Sequence, residues 1–201
     1  MGLVPITGAT WAMVTRVRTV HERFPDEMRI IGQLLTDYGE LEMSLMSCVQ
    51  VVRDDLDGVI KAMFRPRGET QRIDIADGLG RSSYEKWGLG TEFAMAIDAT
   101  RHALKIRNQY SHCVWQANVN ELKFAALEEL AFDNQPLSGL DDLAFREITL
   151  DLLTEQYAYF VYTDHLLRWV NYEGRALAKK ITSANLLSKP KPLAQPYLCV
   201  P

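Results

Sequence analysis

Residues 26–52 read Asp-Glu-Met-Arg-Ile-Ile-Gly-Gln-Leu-Leu-Thr-Asp-Tyr-Gly-Glu-Leu-Glu-Met-Ser-Leu-Met-Ser-Cys-Val-Gln-Val-Val. Met28, Ile31, Leu35, Tyr38, Glu42, Leu45, Val49 and Val52 recur at alternating steps of three and four, the spacing of one face of a helix in a bundle. Pro25 suits the opening position, and Asp26 and Glu27 suit the positive end of the helix dipole. Glu42 breaks the apolar rule in mid-seam. A lone carboxylate buried there costs several kcal/mol, by order of magnitude, unless it is paired or protonated. Its partner must be a buried cation or a set of donors.

A second seam supplies a candidate. Phe93, Ile97, Thr100, Leu104, Arg107 and Ser111 step by four and three along a helix expected from Thr91 to about His112. It carries an always-charged guanidinium at Arg107. The signs of Glu42 and Arg107 are opposite, so a fork-to-carboxylate contact between them would resolve both anomalies. Beside this seam, Arg101, Lys105, Asn108 and His112 form a polar, cationic face. It ends where the helix C-terminus favours a cation and where an imidazole titrates near neutral pH. A phosphodiester would find an arginine, a lysine, an amide and an imidazole on one side of one helix. A charged helix face is also commonly just solvated, and an Arg–Glu pair in a bundle is often only a fold-specifying contact.

The rest of the chain extends the helical pattern. Residues 1–25 read as an arm with one helical turn around Trp11–Val20, whose Arg16, Arg18 and Arg23 are either solvated or available to RNA. Asp54–Phe64 is a short helix ended by Pro66, and Glu69–Leu79 is a third helix with Ile73, Ala76 and Leu79 inward. Gly78–Gly90 reads as a glycine-rich connection that matches no phosphate-binding motif. Beyond Trp115 the pattern suits either a hairpin turning at Asn118–Glu121 or a further helix, and we favour the hairpin. A loop at Pro136–Gly139 precedes a last helix from near Leu140 to about Leu177. The spacing thus predicts an arm (1–25), an all-α, up-and-down bundle (26–180) with a short irregular or β-hairpin insert after the 91–112 helix, and a Pro-rich, disordered tail (181–201).

Composition narrows the function. A net charge of −4 over 201 residues does not suit a generic nucleic-acid coat, though it leaves room for a local basic site. Three scattered cysteines without a C-x-x-C point to a reducing, cytoplasmic compartment. No apolar run approaches ~18 residues, and no signal pattern opens the sequence. No glutamate has a histidine three residues on, and the histidines lack ligand spacing, so neither metal nor cofactor is expected. Cys113 reads as a small buried residue rather than a nucleophile, because it points about 100° away from His112 on a helix. His165 reads as packing among Tyr157, Tyr159, Tyr162 and Trp169.

Arg107-Asn108-Gln109-Tyr110-Ser111-His112 resembles the R-x4–6-H signature of HEPN domains. Its helix-end position before Cys113-Val114-Trp115, and Tyr38-Gly39-Glu40-Leu41-Glu42 on the first long helix, are similar to that family over about residues 26–175. The resemblance implies a metal-independent endoribonuclease, toxin-like or otherwise, that works as a homodimer with its motif helices near the interface. It implies His112 as acid or base, Arg107 stabilising charge, Asn108 orienting phosphate, and Arg101 and Lys105 binding substrate. The alternative is a non-catalytic helical dimerisation or interaction module, an RNA-binding scaffold or an antitoxin-like partner of another machine; the toxin-like reading in turn implies a partner antitoxin or other protein.

Overall fold

The computed structural model describes residues 19–132, 139, 143–182 and 187–199. Its elements are α1 (Val20–Arg23), α2 (Pro25–Arg53), α3 (Leu56–Phe64), α4 (Glu69–Lys86), α5 (Gly90–Ser111), β1 (Cys113–Ala117), β2 (Leu122–Ala126), α6 (Leu127–Phe132), β3 (Arg146–Ile148) and α7 (Leu150–Leu177). The helical class and the long first helix are as expected. The buried stripe of α2 is wider than the eight-residue seam and centres on Leu34, Leu41 and Cys48, all at most 1% exposed. The extra width follows from burial on several sides, since α4, α5 and α7 all pack on α2.

Side-chain pairs fix the direction of each helix. Phe64 lies under the Arg72 guanidinium, which also bonds Glu42, so α3 descends from the end of α2 towards its middle. α4 climbs again, from Glu42–Arg72 to a Tyr84 hydroxyl that donates to the Cys48 carbonyl. α5 runs back down: Gly80 of α4 faces Phe93, and Asp74 bonds Arg101. α7 rises beside α2, with Tyr157 bonding Asp37 and Ser44 bonding Asp164. The helices α2, α3, α4, α5 and α7 therefore alternate in direction, as the up-and-down expectation requires, and α2 and α7 are parallel neighbours.

Several expectations need correcting. The glycines from Gly78 onward do not break the chain, because α4 continues through Gly78 and Gly80 to Lys86. The stop is Gly88, at φ +77°, where the amides of Gly88 and Leu89 close back on the carbonyls of Glu85 and Tyr84. Gly80 is instead a contact residue, since a Cβ there would stand 2.7 Å from Phe93 Cζ. The last helix begins at Leu150 rather than near Leu140. Thr149 caps it by accepting from the Leu152 amide, and Arg146–Ile148 forms a strand.

The insert is larger than a hairpin. β1 and β2 pair antiparallel around Asn118–Glu121, as expected, and β3 adds to β2 to give the order β1-β2-β3. Tyr110, Trp115 and Phe124 join the sheet to the end of α5. Arg23, read as solvated or RNA-facing, donates to the carbonyls of Ala117 and Asn118 and so clasps the hairpin turn. The helical turn expected at Trp11–Val20 lies mostly outside the described residues, as do Arg16, Arg18 and the Pro136–Ser138 loop.

Residues 187–199 do not hang free as the expected disordered tail; they run back across α5 and α7. Lys189 bonds Glu92 at 2.9 Å and sits over the Trp169 ring. The Pro196 carbonyl meets His102 Nε2 at 3.1 Å, Gln156 donates to the Tyr197 carbonyl, and Cys199 is buried. Prolines along the segment keep it extended, so its carbonyls must find donors on the body. Among the described residues, no helix is long and apolar enough to cross a membrane.

Candidate functional site

The buried charges lie where α2, α4 and α5 meet, but their pairing differs from the expected one. Glu42 accepts from Arg72 Nη1 at 2.9 and 3.2 Å, and both side chains are mostly buried. Arg107 instead pairs through Nη1 with Glu69 at 3.2 Å and bonds the Asn108 side-chain oxygen at 3.0 Å. The direct Glu42–Arg107 contact is therefore replaced by two ion pairs in which α4 contributes one member of each. The sequence carried a signal for this. Glu69, Arg72, Ile73 and Ala76 share one helix face, so both charged residues border the inward stripe of α4.

Tyr38 sits among these four charges. Its ring lies under the Arg107 guanidinium at 5.8 Å, and its hydroxyl is buried with no partner among the described residues. Burial, with Glu42 and Glu69 adding to it, pushes the phenol well above its ordinary range, so it stays a neutral donor. Arg107 Nε is likewise buried without a partner. Its Nη2 also bonds no described residue and belongs to a side chain that is 26% exposed. Nη1 of the guanidinium is thus held, while Nε and Nη2 bond no described residue.

His112 terminates α5 with non-helical backbone (φ −132°, ψ 65°). Its carbonyl accepts from the Leu127 amide, which fastens the helix end to the start of α6. The imidazole is 65% exposed, with Nε2 3.6 Å from Glu128, a carboxylate that the sequence reading did not single out. An accessible imidazole beside a carboxylate is placed to pass a proton. Cys113 opens β1 rather than continuing the helix. It is half-buried, its thiol donates to the Gln109 carbonyl, and burial pushes it up to about 11, which leaves it a poor nucleophile.

The residues expected to bind substrate differ in their surroundings. Arg101 turns to α4, reaching Asp74 at 3.0 Å and Asp77 at 3.4 Å as well as Asp98 at 3.2 Å, so its charge is already matched. Lys105 is exposed. Asn108 is half-buried, with its carbonyl oxygen turned to Arg107 and its amide nitrogen bonding no described residue. What the fold brings together is Arg107, Asn108, Tyr38 and Glu69, with His112 one turn further on. Among the described residues, no three His, Cys, Asp or Glu side chains are grouped to hold a metal ion. No family profile, curated protein or solved structure matches the chain.

Proposed function

We propose that the protein is a metal-independent endoribonuclease of the HEPN type, acting through His112 and Arg107. The observation that carries this reading is the exposed imidazole at the end of α5, one turn beyond a partly exposed guanidinium. RNA supplies its own nucleophile. His112 takes the proton of the 2′-hydroxyl as its oxygen bonds to the adjacent phosphorus. The bond from phosphorus to the 5′-oxygen breaks, a proton from a second acid goes to that oxygen, and a 2′,3′-cyclic phosphate remains. A second copy of the chain, its motif helix facing the first, would supply that acid as its own His112. Arg107, oriented by Glu69 and Asn108, faces the charge that develops on the phosphoryl oxygens.

A second reading rests on a different observation. Arg107 is held by Glu69 and Arg101 by three aspartates, which suits a helical interaction module whose charges serve the fold. Incubation of the purified protein with single-stranded RNA in EDTA separates the two. Cyclic-phosphate ends that disappear in His112→Ala support the nuclease. Intact RNA, or equal cleavage by the variant, sinks it.

A further inference from the structure

The groove between the parallel helices α2 and α7 lies away from the motif and contains a polar arrangement that the fold does not use. It encloses about 360 Å³ and is walled by Glu40, Ser44 and Ser47 of α2 and by Asn171, Tyr172 and Arg175 of α7. That volume lies in the range of small-molecule sites. Asn171 is only 8% exposed. Its side-chain oxygen accepts from Arg175 Nε at 2.9 Å, yet its amide nitrogen, with two hydrogens to give, has no partner. A buried donor left unmade is costly and uncommon in folded proteins.

Arg175 points the same way. The bond to Asn171 holds its Nε, whereas its terminal nitrogens meet no carboxylate among the described residues. By contrast, Arg168 at the other end of the groove is matched by Asp164 at 2.7 Å. The serine hydroxyls are also spent, Ser44 on Asp164 and Ser47 on the Met43 carbonyl. At the Asn171 end the unmatched groups are therefore donors, an amide and a guanidinium locked to each other. Glu40 lies seven residues from Ser47, roughly 10 Å along the helix, and so repels a second anion at the far end. The Tyr172 ring and the Met43 side chain give the groove an apolar wall.

We propose that this groove binds a small molecule carrying one anionic group, a carboxylate or a phosphoryl, on an apolar body. The anion sits between the Asn171 amide and the Arg175 guanidinium, and the body lies against Tyr172. The planar fork of Arg175 matches either group.

The test uses the full chain labelled with ¹⁵N and two probes that share a body, benzoate and phenyl phosphate, at constant ionic strength. The Asn171 side-chain amide signals move saturably with at least one probe, and the tighter probe identifies the anionic group. Arg175→Gln weakens that binding at least about tenfold, the loss expected when a charged hydrogen bond is removed. Shifts that never saturate with either probe, or an unchanged affinity in Arg175→Gln, overturn the assignment. Should Arg175→Gln fail to fold, Tyr172→Ala decides: loss of the half-exposed ring on which the body lies weakens binding, and an unchanged affinity overturns the site.

Discussion

Arg72 of α4 takes both carboxylate oxygens of Glu42, at 2.9 and 3.2 Å, and leaves Arg107 to Glu69. The two pairs make different demands on a double-mutant cycle. Glu42 and Arg72 should show a coupling of about 1–3 kcal/mol in urea unfolding, whereas Glu42 and Arg107 should show less than ~0.5 kcal/mol. A large Glu42–Arg107 coupling would contradict the pairing described here.

His112 makes no buried contact through its side chain. His112→Ala should therefore leave unfolding free energy within ~0.5 kcal/mol of the parent, as exposed substitutions do. Loss of RNA cleavage in that variant would then be read as chemistry rather than misfolding. A strongly lowered melting temperature would show the imidazole to be structural.

The glycines of α4 should respond oppositely to the same change. At Gly78 a new Cβ meets nothing within 4 Å, so Gly78→Ala should stabilise the helix by about 0.5–1 kcal/mol. At Gly80 it would meet Phe93 at 2.7 Å, and that ring is stacked on Tyr84 at 4.4 Å and cannot easily retreat. Gly80→Ala should cost about 1–3 kcal/mol. Thermal melts of the two variants check the contrast.

His102 ties acid sensitivity to the C-terminal segment. Burial lowers its pKa, the Pro196 carbonyl opposes that, and nearby Lys105 lowers it further. In the unfolded chain this histidine takes up a proton at about 6.5, while in the native protein it stays neutral to lower pH. The unfolded state thus binds more protons in that window, so stability is greatest above pH 6.5 and falls as pH drops towards the native value. Urea unfolding between pH 7.5 and 5.5 should show this slope, and His102→Gln should flatten it. An unchanged slope in the variant would assign it to other groups.

The parts legible in the sequence were those with a local period. The helices α2, α3 and α5, and the hairpin turn at Asn118–Glu121, follow from spacing and turn chemistry alone. The buried pairings did not, because Glu42 could be satisfied by any cation reaching its face. Arg72 reaches it only because α3 returns the chain to mid-α2. Arg101 illustrates the same limit, since its aspartate partners come from two helices and only Asp98 is local. The docked tail was hidden for another reason: a Pro-rich run carries no period, and its anchors at Pro196 and Tyr197 are backbone carbonyls, which every residue has.

Tyr84 gives the bundle its mechanical character. Its hydroxyl reaches the Cys48 carbonyl of α2, its ring stacks on Phe93 of α5, and Gly174 of α7 comes so near that an added Cβ would lie 3.1 Å from the ring. A single aromatic side chain of α4 is thus shared by every long helix, and peeling any one of them away bares it to solvent. Amide hydrogen exchange in the middles of α2, α4, α5 and α7 should accordingly collapse onto one slow, common rate instead of grading from helix to helix.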